Sequence, residues 1–377
     1  MSGWIWMLSR KHPPSVGGMQ LLSAHLVRGL AASRPVTAVT WGGGHWGLPL
    51  FLAWAQLRLV VGIARGSIGV LHLGDPAQAV LAWLPRLAGV PVFANVHGLD
   101  ITHPARWYQA YLDRFFWGRM QSYACISQHV RSLVLARGVS PERAPMILPG
   151  IDSAAADSGN EGGGRDVGQP GEIVLLCLGR LVERKGVAWF LASVAPAWFA
   201  RHPEARLLIV GDGPERERIA ALASAPALRG RVEVHGTVDE ATKCRMLRDA
   251  DLVLLPNVPV AGDVEGFGLV CLEAGANGTW VLASDLEGLR DAVVEGENGN
   301  RVAPADAAAW RDALDALCAD PARLRALGVS ARTAVALRFG WPAVIARYAD
   351  LADRVAQGRV GQGGNGRGGG EGGGDDR

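Results

Sequence analysis

Short apolar runs alternate along this chain with segments whose apolar residues return every three or four positions. A run of four to eight apolar residues reads as a buried strand, and the longer spacing as a helix with one face on a core. Alternation of the two is the pattern of βαβ units with parallel sheets. The first strand is expected at residues 3–8. A loop follows, His12-Pro13-Pro14-Ser15-Val16-Gly17-Gly18, then a helix that turns Met19, Leu22, Leu26 and Leu30 to one side. Further strands are expected at 35–41, 68–73, 92–96, 122–126 and 146–148. The pattern lapses after Asp152. Residues 153–171 hold Ala-Ala-Ala, Gly-Gly-Gly and no large aliphatic residue but Val167, a composition that predicts a linker. It resumes with strands at 172–179, 206–211, 232–234, 252–255 and 280–283. Helices are expected from Lys185 to about 200, after Pro214, up to Asp249, and from about Phe267. The chain is then helical from 304 to about 355, with a break near Gly340-Trp341-Pro342, and residues 358–377 read as a disordered Gly-rich tail. The fold reading is α/β, with two Rossmann-like, doubly wound domains at 1–152 and 172–340.

Composition agrees with two cores, since 377 residues exceed one ordinary domain and 49% are hydrophobic. The formal charge of +2 gives no reason to expect nucleic acid as a partner. Five cysteines, far apart and never in a C-x-x-C pair, read as buried small hydrophobes in a reducing compartment. Thirteen tryptophans are many, and most are expected in the core. The apolar start at Met1–Leu8 is too short for a signal peptide, and the nearest candidate span, Leu48–Ala64, is broken by Gln56 and Arg58. The expected location is cytoplasmic, with contact at a membrane surface left open.

Four motifs in the second half carry candidate chemistry. In Gly179-Arg180-x4-Lys185-Gly186 two cations lie between a strand and the next helix, which suits a diphosphate, although solvated charges at a helix end would look the same. Gly211-Asp212-Gly213-Pro214 is a tight turn at a strand's carboxyl end, where ligands of α/β sheets gather. Glu265-Gly266-Phe267-Gly268 through Glu273 sets two carboxylates eight residues apart, with glycines that let backbone amides approach an anion. Gly278-x-x-Val281-Leu-Ala-Ser284 reads as a turn and buried strand.

In this order and spacing the motifs resemble the retaining glycosyltransferases of family 4, the group with the GT-B fold. The first half adds Gly17-Gly18, Asn95-Val-His97-Gly98-Leu-Asp100, Ser127 and Gly150-Ile-Asp152. The resemblance implies two domains facing a cleft, with residues 341–357 crossing back to the first. It implies that Arg180 and Lys185 neutralise the diphosphate of a UDP- or GDP-linked sugar, that Glu265 binds the donor sugar and Glu273 its ribose. Gly17 and Gly18 would close over the diphosphate, His97 would lie by the donor sugar and acceptor, and Gly179, Gly211, Gly213, Gly266, Phe267 and Gly268 would line the donor site. It departs from the family at Pro256-Asn257 with its longer loop, at Pro149-Gly150, and at Gly278-Thr279-Trp280-Val281. No metal and no separate cofactor are expected, because no Asp-x-Asp falls in a suitable loop and no His/Asp/Glu cluster suggests a metal site. The expected partners are the nucleotide-sugar donor and a glycan or lipid-linked acceptor. A silent GT-B binding partner, an epimerase of the same fold and an oxidoreductase are the rival readings. The last lacks a strand followed by G-x-G-x-x-G and an acidic residue. Acceptor choice is expected in the first half, around Trp41–Trp46 and 103–117, whose aromatic and basic residues would suit a lipid-linked sugar and equally an amphipathic core helix.

Overall fold

The structure, a computed structural model, describes residues 4–15, 17–152 and 171–358. The expected linker, apart from Gly171, and the tail beyond Gly358 lie outside the described residues. Eleven strands form two wholly parallel sheets among the described residues. The first contains β1 (Ile5–Ser9), β2 (Val36–Thr40), β3 (Val70–Leu73), β4 (Val92–Val96) and β5 (Ser122–Cys125), in the order β2-β1-β3-β4-β5. The second contains β6 (Ile173–Leu178), β7 (Ala205–Val210), β8 (Val232–His235), β9 (Leu252–Leu255), β10 (Trp280–Ser284) and β11 (Gly299–Val302), in the order β11-β10-β9-β6-β7-β8. Helices cover both faces, so the central strands are buried on both sides and read as continuous apolar runs. Strands β3, β4, β5 and β9 are buried at every residue.

Several expected elements differ. Residues 146–148 form only an isolated bridge, Met146 to Cys125. Strand β11 was not expected, because its sequence Gly-Asn-Arg-Val lacks an apolar run and it pairs only at the sheet edge. The helix expected from Lys185 begins at Val187 and is interrupted at Val194, while Glu183–Lys185 form a separate short turn. The helix expected from Phe267 is Leu269–Ala276. The final helical stretch breaks twice, into Ala307–Cys318, Pro321–Phe339 and Trp341–Ala356; Asp320 accepts from the Arg323 amide and caps the start of the second of them. Cys125, Cys177, Cys271 and Cys318 are buried and unpaired, but Cys244 is half-exposed beside Glu240. Most tryptophans are core as expected: Trp6, Trp198, Trp280, Trp310 and Trp341 are buried, and Trp41, Trp117 and Trp189 pack against a core. Trp4, Trp46, Trp54, Trp83 and Trp107 are exposed, all of them in the first half. The buried Trp280 indole donates to Asn300 (2.8 Å).

The last helix, Trp341–Ala356, packs on the first sheet rather than on the second. Trp341, Val344, Tyr348, Leu351 and Val355 share a core with Ile5, Met7, Leu26 and Phe93. Gly29 allows the close approach of helix Gly18–Ala31, since a Cβ there would meet Ile345 at 2.0 Å. Arg34 grips Asp353 through both nitrogens (2.7 and 3.2 Å). Beneath this helix His72 stacks on Phe93 (4.4 Å) and its Nε2 meets Asn95 Oδ1 (3.1 Å), which also accepts from the Tyr348 hydroxyl (3.0 Å).

Burial pushes the His72 imidazole down to about 4. The unfolded chain therefore binds a proton that the folded chain refuses between pH 6.5 and 4. The stability tied to a neutral His72 is complete above about pH 6.5 and falls by about 3 kcal/mol as the pH drops to about 4. Urea unfolding across that range is expected to show this loss in the wild type and to show less of it in His72→Gln.

Candidate active site

In an open doubly wound sheet the crevice lies where strand order reverses, because the loops leaving those two strands diverge. The second sheet reverses between β6 and β9 and the first between β1 and β3. The loop after β6 carries Arg180, Arg184 and Lys185; the loop after β9 carries Asn257, Asp263 and Glu265. Topology thus joins residues about eighty apart in sequence. Gly186 makes the approach possible, with φ +64 and a Cβ position only 1.9 Å from the Pro256 carbonyl oxygen. The Val258 amide then donates to the Arg184 carbonyl (3.0 Å).

Three donors converge on one carboxylate oxygen. Glu265 Oε2 accepts from Lys185 Nζ, from Arg184 Nη1 and from Asn257 Nδ2 (3.0 Å). Arg184 also donates from Nε to Asp263 (2.9 Å). Glu265, Arg184 and Asn257 are buried. Burial alone would raise the Glu265 carboxyl, but the Lys185 and Arg184 charges together outweigh it and hold the group down at about 2. Glu265 is therefore an ionised carboxylate at neutral pH. The backbone around it is clamped: the Glu265 amide donates to Glu287, and the Gly288 amide to the Glu265 carbonyl (3.1 Å). Glu287 adopts φ +47, a strained value for a residue with a Cβ, and such strain is typical of functional loops.

Arg180 stands apart from this cluster. It is exposed at the end of β6 and makes no ion pair among the described residues. It shares the lining of a recess with Lys185, Gly179, Leu181, Pro256 and Asn257. Gly211 and Gly213 lie against that loop, since a Cβ on them would meet the Gly179 carbonyl at 1.9 Å and the Leu181 carbonyl at 2.4 Å. Their observed contact is with backbone that positions Arg180. Glu273 is held by a different cation, Lys243 (2.9 Å), from helix Glu240–Asp249. Phe267, expected to line the donor site, is buried edge-on against Phe339 (6.2 Å) and offers only its backbone. Gly268 starts helix Leu269–Ala276 with φ +90 and abuts Leu289.

The first half meets this site from above. The Gly266 Cα lies against the His97 carbonyl, so that a Cβ there would stand 2.2 Å from the oxygen. Gly18 packs on Leu269, and the Gln128 amide donates to Asp291 (2.7 Å). Gly17, with φ +151, precedes helix Gly18–Ala31. The His97 amide donates to the Asp100 carboxylate (2.9 and 3.0 Å), and ring Nε2 meets the Gly74 carbonyl (3.0 Å). A carbonyl only accepts, so Nε2 carries the hydrogen of this bond. Burial pushes the Asp100 carboxyl up to about 6, with His97 pulling the other way.

Thus Lys185, Glu265, Gly266 and His97 come together, with Gly18 near by at Leu269. Arg184, Asn257, Asp263 and Glu287 are members that sequence reasoning missed. Arg184 had a signal, an arginine beside Lys185 in the same Glu-Arg-Lys turn; Glu287 had none.

Both halves of the chain match known proteins. Residues 166–334 match the model for glycosyl transferases group 1, and residues 17–150 that for the glycosyl transferase 4-like domain. The phosphatidyl-myo-inositol mannosyltransferase of Mycolicibacterium smegmatis is 32% identical over 302 residues, covering 78% of this chain and 73% of its own. The sucrose-phosphate synthase of Thermosynechococcus elongatus shares the fold with a TM-score of 0.73 at 22% identity, over 94% of this chain and all (100%) of that one. Anabaena HepE, solved with UDP and glucose, gives 0.69 at 18% identity, over 93% and 99% of the two chains. With both sheets in GT-B arrangement and both halves matched, the chain belongs to family 4 of the glycosyltransferases, the glycosyl transferases group 1.

Proposed function

We propose that this glycosyltransferase moves a sugar from a UDP- or GDP-linked donor to a hydroxyl of a glycan or lipid-linked acceptor, with retention at the anomeric carbon, in cell-surface polysaccharide or glycolipid synthesis. The observation that carries the reading is the Arg184–Lys185–Glu265 cluster at the switch point, faced across the cleft by His97 and Gly18. The bond from the anomeric carbon to the diphosphate breaks, and the diphosphate leaves with the electron pair. The acceptor oxygen bonds to that carbon from the leaving-group face, and its proton passes to the departing phosphate oxygen. Lys185 and Arg180 stabilise the charge that develops there, as fixed cations that need not reorganise. Glu265 Oε2 is taken up by Arg184, Lys185 and Asn257, while Oε1 accepts no hydrogen bond among the described residues and is left for the donor sugar's hydroxyls. Glu273 serves the ribose, and His97, oriented by Gly74, lies beside the sugar. The backbone of Gly17, Gly18, Gly179, Gly211, Gly213, Gly266, Phe267 and Gly268 lines the donor. The transfer is metal-independent in this reading, with the positive field supplied by side chains; among the described residues no three His, Cys, Asp or Glu group to hold an ion. The relative that acts on phosphatidyl-myo-inositol supports a lipid-linked acceptor, and the UDP held by HepE supports a UDP donor.

The test is release of nucleoside diphosphate from a panel of UDP-, GDP- and ADP-sugars. One donor is expected to turn over slowly without acceptor. Lys185→Ala should lower kcat/KM by roughly a hundredfold to a thousandfold, and Arg180→Ala, an exposed charge, by roughly tenfold. If no nucleotide sugar were hydrolysed or bound, the donor assignment would be wrong.

A further inference from the structure

Helix Leu48–Ala64 is apolar on almost every side, with Gln56 and Arg58 as its polar residues, a character that belongs to helices covered on most of their surface. It is covered on one side. Phe51, Ala55, Leu59 and Gly62 face the first sheet's core. Leu50, Trp54, Leu57 and Val61, at offsets of zero, four, seven and eleven, form the opposite stripe and are 77%, 44%, 62% and 37% exposed. Trp46, one turn earlier, is 99% exposed. At about 100° per residue, Arg58 and Arg65 fall together on one flank of the stripe, and Arg58 lies over the Trp54 ring (5.5 Å).

Charge points to the occupant. No acidic residue precedes Asp75, and Asp75 is buried against Arg10 (2.9 Å). Residues 1–152 hold thirteen Arg and Lys against five Asp and Glu, although the whole chain is only +2. An apolar stripe edged by arginines, in the cationic half of an almost neutral chain, matches the boundary of an anionic bilayer, where acyl chains lie beneath phosphates. The helix is 17 residues long, and no helix among the described residues is long and apolar enough to cross a membrane, so the geometry is in-plane. At its first turn a cavity of about 280 Å³ opens, lined by Arg10, Lys11, Trp41 and Leu48.

We propose that Trp46 and the outer stripe of Leu48–Ala64 seat this protein on an anionic lipid surface, with Leu50, Trp54, Leu57 and Val61 among the acyl chains and Arg58 and Arg65 at the phosphates. The proposal is independent of the donor and of the catalytic residues. Its test is co-sedimentation of the full chain with phosphatidylcholine vesicles, with and without phosphatidylglycerol. The wild type is expected to bind the anionic vesicles and to release at high salt. Leu50→Glu/Leu57→Glu should weaken binding by roughly tenfold or more, and Arg58→Gln/Arg65→Gln by roughly fivefold per charge. Both variants should keep the wild-type melting temperature and soluble donor turnover. Should the glutamate pair melt early, the milder Leu57→Gln takes its place and is expected to weaken binding in the same sense. Absence of wild-type binding, or equal binding by the variants, would overturn the proposal. So would a wild-type dimer that Leu50→Glu/Leu57→Glu converts to monomer without vesicle binding in either form, which would make a second copy the occupant.

Discussion

Gly266→Ala is expected to lower kcat/KM by roughly a hundredfold to a thousandfold while leaving both sheets folded. The new Cβ would stand 2.2 Å from the His97 carbonyl oxygen and 3.2 Å from Ile126, both in the opposing half. The first is backbone at the end of β4 and cannot rotate away, so the loop or the half must move. Gly266 is absent from the positive-φ residues, so alanine meets no conformational penalty and the effect isolates the approach of the halves. Gly18→Ala is the matched control. Its Cβ meets Leu269 Cδ1 at 2.6 Å, the far end of a flexible side chain, and a loss of only a few-fold, roughly, is expected. Steady-state kinetics on both variants, with small-angle scattering to measure compactness, provides the check. Full activity in Gly266→Ala would mean that chemistry does not require this contact.

Glu265→Gln is expected to damage both activity and stability. The amide keeps the shape, and its oxygen can still accept from Asn257, but Arg184 and Lys185 lose their shared counter-charge. Arg184 is buried, 6% exposed at the side chain, and would keep only Asp263. Removing one partner of a buried ion pair destabilises by about 3–5 kcal/mol, and the neutral amide should place the loss near the lower end. Activity should fall by roughly a thousandfold, since the same group orients Lys185 and faces the donor in our reading. The pH dependence has a definite sign. A carboxyl held down at about 2 contributes stability that is complete above about pH 4.5 and is lost as the pH falls toward 2. Chemical denaturation of wild type and variant at neutral pH and near pH 3 should show the gap closing at the lower pH. A constant gap would place the effect in packing rather than charge.

The elements that could be read from sequence share one physical property. Strands β4 and β9 were located to the residue because both faces are buried, which leaves an unbroken apolar run. Strand β11 escaped because an edge position tolerates Gly-Asn-Arg-Val, and the helix starts slipped by two residues where glycines in left-handed backbone, Gly186 and Gly268, end the preceding loops. Likewise the motifs were visible but their pairing was not. Arg180 and Lys185 looked like partners because they are close in sequence, yet Lys185 turns to Glu265, eighty residues away, and Arg180 stays in solvent.

The apolar periodicity of this sequence by itself determined two parallel α/β sheets, because local burial writes local pattern, and the motif residues stand in the order of the family they resemble. Which cation meets which carboxylate, and which backbone atom meets which glycine across the cleft, was decided only in the tertiary structure. Those contacts join loops from separate strands, and even separate sheets. Burial of Arg184 beside Asp263 and Glu265 is a long-range electrostatic requirement with no periodic trace. The bare stripe of Leu50, Trp54, Leu57 and Val61 obeys the same rule. In sequence it is indistinguishable from core, since hydrophobicity records what a residue prefers and only the packed chain shows which of those preferences go unmet.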